Sequence, residues 1–213
     1  MNNIKAVIFD MDGVIIDSEP IHVLAERAVI EKYGIFADQK DWESFKGKTA
    51  VKIFSEVINK YKVQGVSAGQ MADEKLTKYL ELFNSFDIKL FDGCMDTLEY
   101  LQHKYLVALT TSSHYKLQQA VFKKFKLGKY FKVVVTGDMV TKGKPDPEPY
   151  LLTVSKLGLK PVDCLVIEDS DNGVTSAKLA GIRTIAITNT FSRERLCQAE
   201  VIIDSLTHIQ GIL

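Results

Sequence analysis

The chain has 213 residues, of which 46% are hydrophobic and 25% charged, a composition typical of folded globular proteins. Its 27 basic and 27 acidic residues cancel, which argues against an extended nucleic-acid surface or a polybasic membrane patch, so we expect neither nucleic acid nor membrane as a partner. The sequence shows no signal peptide, and the three cysteines, Cys94, Cys164 and Cys197, lack metal-ligand spacing. We therefore expect a cytoplasmic protein with reduced thiols.

The first predicted element is a buried strand at residues 6–9, which runs into the motif Asp10-Met11-Asp12-Gly13-Val14. One carboxylate stands at the carboxyl end of the strand, and a second follows two residues later, before a glycine that permits a sharp turn. Open α/β sheets bind their ligands at this end of their strands, and two close like charges favour a cation beside them. Taken alone, the motif also fits a strand followed by an ordinary Asp-Gly turn.

A long helical segment separates this strand from the next. From Asp10 to Leu106 the chain advances 96 residues (106 − 10), whereas a strand–helix–strand unit needs about 30, so about 65 to 70 residues are surplus. Apolar residues at helical intervals predict helices at 21–33, 49–61 and 68–86. We therefore predict an α-helical cap domain at residues 17–87, inserted into an α/β core formed by residues 1–16 and 88–213.

Strands and helices alternate in the remainder of the chain. Short runs rich in Val and Ile predict strands covered on both faces at 106–109, 133–135, 165–167, 184–187 and 201–203. Helical patterns accompany them at 95–104, 114–125, 147–157, 173–180 and 193–199. This alternation predicts an α/β fold with a doubly wound parallel sheet and helices on both faces.

Three further polar clusters follow predicted strands. Thr110-Thr111-Ser112-Ser113 offers hydroxyl and N–H donors for a phosphate, although either serine also fits a helix N-cap. Gly143-Lys144-Pro145-Asp146-Pro147 frames a lysine that would neutralise a phosphate or orient a carboxylate, unless it is an ordinary turn. Glu168-Asp169-Ser170-Asp171 offers oxygen ligands for Mg²⁺, although its last carboxylate also suits a helix N-cap.

A doubly wound topology would bring these four clusters to one edge of the sheet. That edge would carry a carboxylate pair, a hydroxyl, a lysine and a second acidic pair, the groups used in phosphoryl transfer. The order of the motifs, with an insertion after the first strand, resembles the haloacid dehalogenase superfamily, and within it the helical-cap phosphatases and β-phosphoglucomutase-like members. The resemblance covers nearly the whole chain and implies a Rossmann-like core beneath the cap.

The resemblance implies a Mg²⁺-dependent phosphatase for a small phosphorylated metabolite, with sugar or polyol phosphates expected, acting through an aspartyl-phosphate intermediate. Asp10 would be the nucleophile, and Asp12 would act first as general acid and then as general base. Thr111 would donate to a phosphoryl oxygen, and Lys144 would stabilise the charge of the transferring group. The implied Mg²⁺ ligands are the carboxylate of Asp10, the backbone carbonyl of Asp12, the carboxylate of Asp169, and Glu168 directly or through water.

The resemblance also implies positions that bind or select the substrate. These positions are Ser112, Ser113, His22, Gly47 and Lys48. Ala50 stands where mutase members carry an arginine for a second phosphate, although Lys48 offers a point charge nearby. Lys75 and Lys78 of the third cap helix could reach the site, although we expect them to lie on a solvated face.

Two other functions stay open on the sequence alone. A β-phosphoglucomutase-like sugar-phosphate mutase is the nearest alternative, disfavoured by Ala50. A phospho-accepting receiver-type signalling domain is a remote one, because receivers place the acidic pair first and lack a large insertion. We expect a monomer or a weak homo-oligomer.

Overall fold

The computed structural model describes residues 3–213 and contains one six-stranded parallel sheet. The strands are β1 (Ala6–Phe9), β2 (Leu106–Thr110), β3 (Val133–Val135), β4 (Cys164–Glu168), β5 (Arg183–Ile187) and β6 (Val201–Ile203). Their spatial order is β3-β2-β1-β4-β5-β6, so the first strand lies in the middle of the sheet. Ala6 is in register with Leu106 on one side and with Cys164 on the other.

Helices cover both faces of this sheet, which confirms the predicted α/β fold. They are α5 (Cys94–Gln102), α6 (Tyr115–Phe125), α7 (Glu148–Leu157), α8 (Asp171–Leu179) and the short α9 (Ile209–Ile212). Val7 and Phe9 of β1 pack into the apolar cluster beneath α5 and α6, whereas Ala6 and Ile8 pack beneath α7 and α8. Because the strands are buried on both faces, their sequences are continuous apolar runs without alternating polar residues.

Four helices lie between β1 and α5. They are α1 (Glu19–Lys32), α2 (Gln39–Phe45), α3 (Ala50–Tyr61) and α4 (Ala68–Ser85). Their outer parts form a separate apolar cluster that includes Val29, Phe54 and Met71. Ile21 of α1 and Phe83 of α4 instead join the main cluster of the sheet. The predicted division at residues 17 and 87 stays a prediction.

The two connections between these helices and the sheet run side by side. Ile16 and Leu90 form an antiparallel bridge. Asp17 N donates to Lys89 O at 3.2 Å, and Phe91 N donates to Ile15 O at 3.0 Å. We call these paired segments, residues 15–17 and 89–91, the connecting ribbon.

The structure corrects the sequence-based elements in three places. The helix predicted at 193–199 is a series of turns, in which Arg193 binds Asp204 and Arg195 binds Asp171, both outside the segment. The helices α2 and α9 were not predicted. The other predicted helices and strands are present, with ends that differ by two residues or fewer.

No helix within residues 3–213 has the length and apolar character needed to cross a membrane. Cys94, Cys164 and Cys197 are free thiols, as expected.

Candidate active site

The carboxyl ends of the three central strands place the predicted site residues together. Asp10 follows β1 directly, and its N–H continues the ladder to Ile167 O at 3.0 Å. Thr111 follows β2, and Glu168 ends β4. Because β2 and β4 are the two neighbours of β1, these side chains meet around Asp10.

Lys144 reaches this edge from the loop before α7. Its ammonium donates to Asp10 Oδ1 at 2.6 Å, to Glu168 Oε1 at 2.6 Å and to Thr110 O at 3.1 Å. Burial lowers the pKa of Lys144, but the charges of Asp10 and Glu168 outweigh it and raise the pKa well above its ordinary value. The side chain is therefore a fixed positive charge beside Asp10.

The lysine loop is itself fixed by α7. Thr141 N and Lys142 N donate to the Glu148 carboxylate at 2.8 and 2.9 Å. Asp146 N donates to Gly143 O at 3.0 Å and closes the turn around the lysine. Its backbone is therefore pre-organised rather than free.

Glu168 is fully buried and accepts five hydrogen bonds. Lys144 at 2.6 Å and the Tyr150 hydroxyl at 2.9 Å bind Oε1. The N–H groups of Asp169 and Ser170 at 3.0 Å, and the Ser170 hydroxyl at 2.9 Å, bind Oε2. Burial raises the pKa of Glu168, but Lys144 and these donors outweigh it and lower the pKa below its ordinary value. Glu168 thus holds the lysine in place as an ionised carboxylate.

Three buried carboxylates form a cluster at this edge. Asp10, Glu168 and Asp169 each offer an oxygen within 4.8 Å of the others. Burial raises the pKa of Asp10 to about 8, and burial with the Glu168 and Asp10 charges raises that of Asp169 well above its ordinary value. Burial therefore disfavours the charged forms of two of the three carboxylates, and a divalent cation with oxygen ligands would favour those charged forms and offset them.

Gly13 makes room for Asp169. Its φ is +80°, and a Cβ built on it would lie 1.8 Å from Asp169 Oδ2. Only glycine fits both the backbone conformation and this approach. The Asp-x-Asp-Gly motif therefore shapes the carboxylate cluster as well as the turn.

Asp12 points to a different set of donors. It accepts from the Ser18 hydroxyl at 2.5 Å, the Ser113 hydroxyl at 2.7 Å, His22 Nε2 at 3.1 Å and Thr111 Oγ1 at 3.3 Å. Burial raises the pKa of Asp12, but the His22 charge and these hydrogen bonds outweigh it, so the pKa lies below its ordinary value. In this arrangement Asp12 is an ionised carboxylate held by α1 and the loop after β2.

The hydroxyl loop after β2 does not cap the helix that follows. The N-cap of α6 is His114, whose ring accepts from Lys116 N, so the serine-cap interpretation is wrong. The Ser113 N–H donates to Thr111 Oγ1 at 3.0 Å, and the Ser112 hydroxyl donates to Gly47 O at 3.3 Å. Likewise Ser170, rather than Asp171, caps α8: its hydroxyl accepts from Gly173 N at 3.0 Å.

The loop of residues 46–49 lies directly over these strand ends. Gly47 has φ +74°, and a Cβ there would lie 3.2 Å from Ser170 Oγ. Lys48 turns its ammonium to Glu56 at 2.8 Å. His22 packs against the Tyr79 ring, with 4.6 Å between the ring centroids. The predicted substrate-binding positions thus face the same edge as Asp10, but Lys48 is already paired.

The position of Lys75 differs from the one expected from the sequence. It is 5% exposed and forms an ion pair with Glu26 at 2.8 Å, so it is not on a solvated face. Lys78 is solvated as expected and pairs with Glu81. A cavity of about 1000 Å³ lies between the sheet edge and the helices, and both Glu26 and Lys75 line it.

Three contributors escaped the sequence analysis. Tyr150 lies within the apolar pattern of α7. In the sequence, Ser18 indicates only the start of a helix, and Glu26 is one of several charged residues in that helix. None is part of a motif, because each acts through a contact with a residue outside its own helix or loop.

Comparison with known proteins agrees with this geometry. The model of the family described as haloacid dehalogenase-like hydrolase matches residues 7–187. The chain belongs to this family. It is 36% identical over 185 residues to the phosphorylated carbohydrates phosphatase of Thermotoga maritima, covering 85% of this chain and 83% of that protein. It is 29% identical over 181 residues to a fructose-1-phosphate phosphatase of Escherichia coli, covering 85% and 95%.

The solved structures extend the likeness to the whole fold. The crystal structure of β-phosphoglucomutase from Clostridium difficile superimposes with a TM-score of 0.86 at 26% identity, covering 98% of this chain and 96% of that one. With relatives named as phosphatases, this member of the family is a phosphoric monoester hydrolase.

Proposed function

We propose that the protein is a Mg²⁺-dependent phosphatase that hydrolyses small sugar or polyol phosphates through an aspartyl-phosphate on Asp10. The observation that carries this proposal is the position of Asp10: its carboxylate is held by Lys144 at 2.6 Å, beside a carboxylate cluster, at the floor of the cavity. The names of the relatives, phosphatases of phosphorylated carbohydrates and of fructose 1-phosphate, support the substrate class.

The metal fits the residues present. Mg²⁺ would be held by the carboxylates of Asp10 and Asp169 and the backbone carbonyl of Asp12, and it would offset the charge of the phosphate and of the cluster. Glu168 would act by holding Lys144 rather than as a metal ligand, since its five hydrogen bonds already fill the acceptor sites of its carboxylate.

The chain's own residues supply the two chemical steps. An Asp10 oxygen forms a bond to phosphorus while the bond to the ester oxygen breaks. Asp12, once it has left the donors that keep it ionised in the present arrangement and has taken up a proton, gives that proton to the leaving alcohol. Water then attacks the phosphorus and gives its proton to Asp12, so the acyl phosphate breaks and free phosphate leaves. Lys144 and the hydroxyl and N–H donors at 111–113 neutralise the charge that develops on the phosphoryl oxygens.

The helices of residues 17–87 would close the cavity over the substrate. Contacts between the loop at Gly47 and the sheet loops support this role, because they exclude bulk water from the strand ends. Asp12 would exchange its present contacts for the substrate during turnover.

A sugar-phosphate mutase is the second candidate, favoured by the structural likeness to a β-phosphoglucomutase. Two features of this chain disfavour it. Ala50 lacks a charge for a second phosphate, and Glu56 already engages Lys48.

Incubation with hexose monophosphates, polyol phosphates and p-nitrophenyl phosphate in Mg²⁺ tests the proposal. Release of inorganic phosphate at rates proportional to enzyme, lost in Asp10→Asn and kept in the exposed-site control Asp204→Asn, is the expected result. Isomer formation without phosphate release would assign a mutase instead. No turnover of any ester would overturn the proposal.

A further inference from the structure

The charges around the cavity limit the kind of alcohol that the phosphate can be attached to. Besides Lys144, five lysines line the cavity, and each has a carboxylate oxygen at 2.8 to 3.9 Å. These are Lys46, Lys48, Lys52, Lys75 and Lys142. Among residues 3–213, every lysine of the cavity wall has an acidic partner, although Lys48 and Lys52 share the one carboxylate of Glu56. Besides Asp12 and the Asp10 cluster, five carboxylates line the wall beside these five lysines, so the wall offers a second anionic group no net positive charge; they are Glu19, Glu26, Asp73, Asp138 and Asp146.

The Glu26–Lys75 pair is the most buried of these, with each side chain 7% exposed. Glu26 lies one turn beyond His22 on the same face of α1, and Lys75 lies one turn before Tyr79 on α4. His22 binds Asp12 and packs against Tyr79. The ion pair therefore lies about one helical turn, about 5.4 Å along the helix, beyond the histidine that binds the acid–base residue, on the side where the far end of a small substrate would lie.

The two histidines of the wall already have hydrogen-bond partners. His22 binds Asp12, and Nδ1 of His114 accepts from Lys116 N. Two carboxylates of the wall, Asp73 and Asp138, have no ion-pair partner in the part of the chain described, and they would repel an added anion.

We infer that Glu26 is a specificity-determining residue: by neutralising Lys75 it restricts the enzyme to monophosphate esters of uncharged alcohols and rejects substrates with a second phosphate. This inference rests on the proposed phosphatase function and narrows its substrate class. The enzyme would discriminate against bisphosphates because Lys75 is not free to attract the second phosphate. Binding that phosphate would first require the buried Glu26–Lys75 pair to separate.

The test compares kcat/KM for fructose 1-phosphate and fructose 1,6-bisphosphate, by initial phosphate release in Mg²⁺. We expect the wild type to prefer the monophosphate by at least about tenfold. Glu26→Gln frees the lysine and should raise the bisphosphate-to-monophosphate ratio about tenfold, whereas the double variant Glu26→Gln/Lys75→Gln should lose that gain.

A matched control exists on the same two helices. Glu74 of α4 pairs with Lys32 of α1 at 2.8 Å outside the cavity, so Glu74→Gln should leave the ratio unchanged. An unchanged bisphosphate-to-monophosphate ratio in folded Glu26→Gln would overturn the inference. Equal kcat/KM of the wild type for the two esters would also overturn it, and this measurement needs no variant. Failure of the wild type on both esters and on p-nitrophenyl phosphate would instead overturn the proposed function.

Discussion

The Asp10 carboxylate should destabilise the protein when no metal is bound, and Asp10→Asn measures that cost. The side chain is 6% exposed, and burial, with Glu168 and Asp12 nearby, raises its pKa to about 8 although Lys144 opposes the shift. Because this folded-state pKa lies above the ordinary 3.8, the group lowers stability progressively as the pH rises from about 4 to about 8. At pH 7, about 3 pH units above 3.8, the cost is about 4 kcal/mol.

The asparagine Oδ1 still accepts from Lys144, but a neutral acceptor opposite the ammonium loses about 2 kcal/mol, so the expected net gain is about 2 kcal/mol. For a chain of this length that gain raises Tm by about 4 to 8 °C. Turnover should fall by at least about 10³-fold. Thermal unfolding at pH 7 in a chelator measures the first effect, and phosphate release in Mg²⁺ measures the second.

Two further measurements sharpen this experiment. Asp204→Asn, at an exposed carboxylate, should change stability by less than about 0.5 kcal/mol. Mg²⁺ should raise the Tm of the wild type more than that of Asp10→Asn, because the variant lacks one ligand. A lower Tm for Asp10→Asn in chelator, or near-normal turnover, would refute the reasoning.

Three other predictions concern the same site. A chelator should abolish phosphate release and Mg²⁺ should restore it; full activity in excess chelator would contradict the metal role of Asp169. Tyr150→Phe removes the 2.9 Å hydrogen bond to Glu168 and should cost about 1 to 2 kcal/mol in urea unfolding, whereas unchanged stability would show that this bond contributes nothing. Gly13→Ala places a Cβ 1.8 Å from Asp169 Oδ2 and should raise the Mg²⁺ concentration for half-maximal activity. Gly34→Ala, with φ +71° and nothing within 4 Å, is the matched control and should not change it.

The strands were predictable because their burial is two-sided and leaves a continuous apolar run. The predictions at 133–135 and 201–203 coincide with β3 and β6 residue for residue. The helix expected at 193–199 is absent: seven residues carry only a weak periodic signal, and so short a helix gains little stability of its own, so the segment forms turns. The helix α2 was missed although Asp38 and Asp41 form a capping box at its start.

In the site, too, some features could be predicted from the sequence and others could not. Residues at strand ends could be placed from the sequence, because topology alone brings Asp10, Thr111 and Glu168 together. Pairs between helices could not, because they depend on how the helices pack. Glu26 and Lys75 are 49 positions apart (75 − 26), and neither position carries a signal for the other.

The connecting ribbon has a mechanical consequence. Its two segments are joined by backbone hydrogen bonds at Asp17 and Phe91, so they form one two-stranded connection and not two independent linkers. Any movement of α1–α4 relative to the sheet would therefore have to bend both segments together or break the hydrogen bonds between them.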